Sequence, residues 1–85
     1  MSLYLVQVAL RPTPQMSEQA EAEAIFVKEA ISEGRIKTIY ATTDKSTTWH
    51  IIEAASEENA SEYIMTYPYA PWFTVESVSP IAVLA

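Results

Sequence analysis

The stretch Ser32-Glu33-Gly34-Arg35-Ile36-Lys37-Thr38-Ile39-Tyr40-Ala41-Thr42 decides the fold. It holds the only glycine in the chain. Gly34 supplies the left-handed backbone that stops a helix, and residues Arg35–Thr42 then alternate as a strand does. Upstream, an amphipathic segment runs into Gly34, and before that Leu3–Leu10 reads as a strand. Downstream, Thr47–Ala54 is a second strand-like run after the polar turn Asp44-Lys45-Ser46. A short helix starts after Ser56, and Trp72–Ser79 forms a last strand. The order is β-α-β-β-α-β, the ferredoxin-like split βαβ plan of the α+β class. Its antiparallel sheet carries both helices on one face, so the other face must find its own cover.

Each segment adds detail. In Leu3–Leu10 one alternating set is Tyr4, Val6, Val8 and Leu10, and the other is Leu3, Leu5, Gln7 and Ala9. A strand apolar on both sets is buried on both faces. Arg11-Pro12-Thr13-Pro14 ends it, because proline cannot donate to a ladder. Helix entry has two candidates, Thr13 with Pro14 or Ser17 with Glu18. The stripe Ala20, Ala24, Val27 and Ile31 is expected to face the sheet, with Phe26 and Ala30 flanking it. The second helix should bury Ala60, Tyr63, Ile64 and Tyr67, and Pro68 and Pro71 close it. In the last strand Phe73 and Val75 form one set, and Trp72, Thr74, Glu76 and Val78 the other. Pro80 is expected to interrupt that strand and leave an apolar tail, Ile81–Ala85.

At 85 residues the chain is one domain. A domain this size buries only about 60% of its unfolded surface, yet 49% of its residues are hydrophobic and 11% aromatic, more than one small core hides. That favours an oligomer. The net charge is −6, and the acids gather on the helices: Glu18, Glu21, Glu23, Glu29 and Glu33 on the first, Glu57, Glu58 and Glu62 on the second. They read as solvated faces. With no basic stripe to neutralise phosphates, neither nucleic acid nor an anionic membrane is expected as a partner. The chain lacks cysteine, which excludes disulfides and thiolate chemistry. No apolar run approaches the ~20 residues that span a bilayer. No basic-then-apolar leader opens the chain, so a cytoplasmic location is expected.

Three segments together resemble the dimeric α+β-barrel superfamily. They are Glu33-Gly34-Arg35-Ile36, the strand Trp49-His50-Ile51-Ile52-Glu53-Ala54 with Ser56-Glu57-Glu58 after it, and the run from Tyr67-Pro68-Tyr69-Ala70-Pro71-Trp72 to Ser79-Pro80-Ile81. The muconolactone isomerase-like and YCII-related families are the most similar branches, and the likeness covers nearly the whole chain. It implies a homodimer with two sheets face to face, and a small aromatic or lactone-type metabolite bound or isomerised.

The residues suited to such chemistry are few. His50 is the only histidine. It is either an acid or base near neutral pH, a haem ligand as in related barrel monooxygenases, or a core histidine satisfied by hydrogen bonds. Gln7 and Tyr40 are candidates to orient a carbonyl beside it. Trp49, Tyr63 and Tyr67 are candidates to wall a flat apolar pocket between sheet and helices; otherwise they fill the core. Glu53 and Glu76 lie on strands, where a carboxylate in an apolar pocket has a raised pKa. No metal and no cofactor is expected. Three functions stay open: an isomerase-like enzyme or binder, a cofactor-free or haem-dependent monooxygenase, and a non-enzymatic interaction or assembly module. The turn length leaves open whether Tyr40 lies beside His50 or beside Trp49 and Ile51.

Overall fold

β1 (Ser2–Leu10) lies inside a four-stranded antiparallel sheet of order β2-β3-β1-β4 in the computed structural model, which describes residues 1–85. The other elements are α1 (Ala20–Ser32), β2 (Ile36–Ala41), β3 (Thr47–Ala54), α2 (Glu57–Ile64) and β4 (Phe73–Ile81). Short 3-10 turns at Pro14–Gln19 and Ala70–Trp72 precede α1 and β4. The split βαβ plan and the β3 limits are as the sequence predicts. No helix is long and apolar enough to cross a membrane.

The alternation of β1 divides the sheet cleanly. Tyr4, Val6 and Val8 are buried under the helices, and Leu3, Leu5, Gln7 and Ala9 stand half-buried on the opposite, open face. The helix-side core is completed by Ile36, Ile52, Ala54, Ala60, Ile64 and Tyr67. Ser56 caps α2 by accepting from Asn59 N–H at 3.0 Å. Gly34, at φ +79°, turns the chain from α1 into β2.

Four local expectations are corrected. First, α1 is rotated: Phe26, Val27 and Ala30 pack on the core, whereas Ala20, Ala24 and Ile31 are exposed. Apolar residues occur nearly all round this helix, so its spacing alone leaves the phase open. Second, the helical run does begin after Thr13 with Pro14 in its first turn, as one of the two candidates had it, but neither proposed hydroxyl makes a capping bond. Thr13 Oγ1 instead accepts the Trp72 indole N–H at 2.7 Å, and Ser17 Oγ donates to the Pro14 carbonyl at 2.9 Å. Third, Pro80 does not interrupt β4: it pairs with Tyr4, and Ile81 pairs with Leu3. β4 is an edge strand, where proline's missing N–H faces no neighbour. Fourth, a bulge opposite Gln7 and Val8 shifts the β4 register. Val78 thereby joins Phe73 and Val75 on the helix side, leaving the set assigned to it from strict alternation.

Candidate functional site

Pairing of β2 with β3 settles where the candidate residues go. Ile39 stands opposite His50, and Tyr40 opposite Trp49. β3 alternates, so His50 points under the helices with Val6 beside it, and Trp49 points to the open face beside Gln7. On the helix side Tyr67 meets His50, and Tyr63 packs on Tyr67. Gln7, Tyr40 and Trp49 gather on the other face of the sheet and do not join them.

His50 is 2% exposed. Its Nε2 lies 2.7 Å from Thr48 Oγ1 and its Nδ1 3.0 Å from the Tyr67 hydroxyl. The buried Tyr67 O–H has no other acceptor, and an unmade buried bond is costly. Tyr67 therefore donates to Nδ1, and the imidazole carries its proton on Nε2 and donates to Thr48. Burial holds the ring neutral by pushing its pKa down to about 4. Burial likewise raises the Tyr67 phenol well above its ordinary value, with Tyr63 and Glu23 adding to the effect. Aromatic rings enclose the pair: Phe26 lies 5.0 Å and Phe73 5.6 Å from Tyr67, both centroid to centroid, and Tyr67 meets His50 edge-on at 5.2 Å. The cavity expected between sheet and helices is not there: no ligand-sized cavity opens in the chain. Close packing has filled it with these rings.

Glu23 escaped the sequence reading, which placed it on a solvated face. It is half-buried, and its Oε1 accepts the Tyr69 backbone N–H at 3.0 Å. Desolvation raises its pKa above the ordinary carboxylate value, against the lowering effect of that hydrogen bond. The signal was available, because Glu23 precedes Phe26 by three residues and Ala30 by seven, on one helix face. The strand acids differ. Glu53 pairs with Lys37 at 3.0 Å on the open face, and Lys37 lowers its pKa instead of an apolar pocket raising it. Glu76 accepts from Gln7 Nε2 at 3.4 Å. Asp44 does not turn toward His50: its carboxylate closes the β2–β3 turn by accepting from Thr42 and Ser46. No three His, Asp or Glu side chains gather closely enough to hold a metal ion.

The family model described as muconolactone delta-isomerase matches residues 2–83. The chain belongs to the muconolactone delta-isomerase family. Two solved structures share its fold. A crystal structure of muconolactone isomerase at 3.3 Å resolution superposes with a TM-score of 0.71 at 19% identity, covering 95% of this chain and 88% of the other. The second is 5-chloro-2-hydroxyhydroquinone dehydrochlorinase (TftG) from Burkholderia phenoliruptrix AC1100, in complex with 2,5-dihydroxybenzoquinone. It gives 0.64 at 17% identity, covering 94% and 93%. Among curated proteins nothing matches.

Proposed function

We propose that this member of the muconolactone delta-isomerase family binds a small oxygenated ring, an unsaturated lactone or a hydroxyquinone, and rearranges it by moving a proton. The observation that carries this is the hydrogen-bonded chain Thr48–His50–Tyr67 on the helix side of the sheet. It joins a half-buried hydroxyl to a buried phenol through a neutral imidazole, so hydrogen bonds and protons have a defined route next to apolar rings. Tyr63 and Tyr67 wall the ligand, which enters past Thr48 as the rings part. The working unit is a homodimer joined through the open faces, and Gln7, Tyr40 and Trp49 meet the partner copy there. Muconolactone and 2,5-dihydroxybenzoquinone, named with the two solved relatives, are the probes. Either should shift the NMR signals of His50 and Tyr67, and muconolactone should be consumed. His50→Gln should slow turnover by about 10²-fold with the fold intact.

A second reading, a non-enzymatic interaction module, is favoured by the tight packing of Tyr67 against His50, Phe26 and Phe73. If neither probe shifts a signal and wild type leaves muconolactone untouched, the second reading takes over.

A further inference from the structure

We infer that Tyr67 occupies, inside its own chain, the place that a ligand's ring takes: a planar ring bearing a hydroxyl group binds by displacing it. This rests on the ligand-binding part of the reading above. Tyr67 belongs to neither helix nor strand, since α2 ends at Ile64 and β4 begins at Phe73. Yet it is only 2% exposed. Four rings surround it: Phe26 from α1, Tyr63 from α2, His50 from β3 and Phe73 from β4, at centroid distances of 5.0, 6.0, 5.2 and 5.6 Å. Those four stand on regular elements, and Tyr67 alone comes from a loop. The scaffold builds the box, and its contents hang on a connecting segment, where local opening costs least. The backbone bonds of Tyr67 are local: its N–H donates to the Ile64 carbonyl at 3.2 Å, and its carbonyl accepts the Ala70 N–H at 2.9 Å. No bond of the sheet breaks when the ring leaves.

An apolar side chain would fill the box at lower cost, because a buried hydroxyl has to be desolvated and then paired. Tyr67 pairs its hydroxyl with His50 Nδ1 at 3.0 Å, while Nε2 meets Thr48. A hydroxylated ring in the same place repeats this bond with the imidazole proton left on Nε2. A ring without a polar group leaves Nδ1 unpaired. Size agrees: a phenol-sized ring fits where a phenol ring stands, and with that ring in place no further cavity opens. Once out, Tyr67 becomes a wall of the occupied site.

The probe is p-cresol, the tyrosine side chain cut free, with toluene as the same ring lacking the hydroxyl. Wild type and Tyr67→Phe are titrated with each and followed by NMR. Wild type should bind p-cresol, with contacts from its ring protons to Phe26, Phe73 and His50, while the Tyr67 ring loses its own contacts to them. Its apparent affinity is lowered because Tyr67 must first leave. Tyr67→Phe keeps the occupant's ring and removes its hydrogen bond, so p-cresol should bind it about tenfold tighter than wild type. Toluene should bind Tyr67→Phe about tenfold more weakly than p-cresol does. A fixed wall gives the opposite sign. Unchanged or weaker p-cresol binding by Tyr67→Phe overturns the inference, and the isomerase reading still stands if muconolactone or 2,5-dihydroxybenzoquinone shifts the His50 signals. Equal affinity for toluene, p-cresol contacts on the open face alone, or no p-cresol binding at all overturn it too. Should Tyr67→Phe lose its fold, the wild-type contacts decide, their absence counting against the inference.

Discussion

A neutral histidine at His50 ties stability to pH. Unfolded, its ring takes a proton as pH falls through 6.5; folded, burial delays this to about 4. Between those values the unfolded state binds more protons, so stability falls as pH drops. A shift of that size corresponds to about 3 kcal/mol at most. Glu23 acts in the opposite sense, since a raised folded pKa favours the native state as the group protonates. His50→Gln isolates the histidine. The urea midpoint of wild type should drop more steeply than that of His50→Gln between pH 7 and pH 4, and parallel curves would show a ring that charges freely in the folded chain. That His50 is buried on a central strand was legible, because β3 alternates cleanly. The same alternation sets Thr48 on its face of the strand, whereas Tyr67 was not legible, since it reaches His50 from the loop after α2, which no local pattern encodes. Glu23 was hidden among acids of the same type, and only the true phase of α1 separates it from them.

At the scale of elements, local chemistry set the boundaries wherever one residue had a single conformational option. Gly34 is such a case. A Cβ there meets only Lys37 Nζ, at an ordinary 3.6 Å, so the cost of Gly34→Ala is backbone strain at φ +79°. It should lower stability by about 1–2 kcal/mol, and an unchanged thermal midpoint would mean the turn relaxes. Ser56→Ala should cost about 1 kcal/mol by freeing the Asn59 N–H, read in the same unfolding experiment. Pro80 and the α1 stripe show the limit. Proline stops a central strand but not an edge strand, and which strand lies at the edge follows from β4 pairing with β1 across nearly the whole sequence. The bulge that carries Val78 to the core is likewise a property of two strands together, invisible in either alone.

The whole molecule leaves one large question on its open face. Leu3, Leu5, Trp49 and Ile51 are only half-buried there, Tyr40 is 61% exposed, and no helix of the chain covers them. A second copy meeting face to face would remove these side chains from water, and full burial of each is worth about 1.5–3 kcal/mol. The opposing force is charge, since each copy carries −6. The acids concentrate on the helices, on the far side of the sheet. On the open face Glu53 is matched by Lys37 and Glu76 is bonded by Gln7, so little repulsion sits where the copies would touch. The expected outcome is a dimer by sedimentation at micromolar concentration, tightening as added salt screens the helices. Leu5 is the position to attack: it faces Ile51 on one side and Ser79 on the other, near the centre of the face. Leu5→Glu should give a folded monomer, because a carboxylate pressed against its own copy would be desolvated without a partner. Deleting residues 82–85, where Val83 and Leu84 are exposed, should weaken the dimer while leaving β4 paired. A wild-type chain that sediments as a stable monomer at these concentrations would mean that the open face is left to solvent or to a different partner.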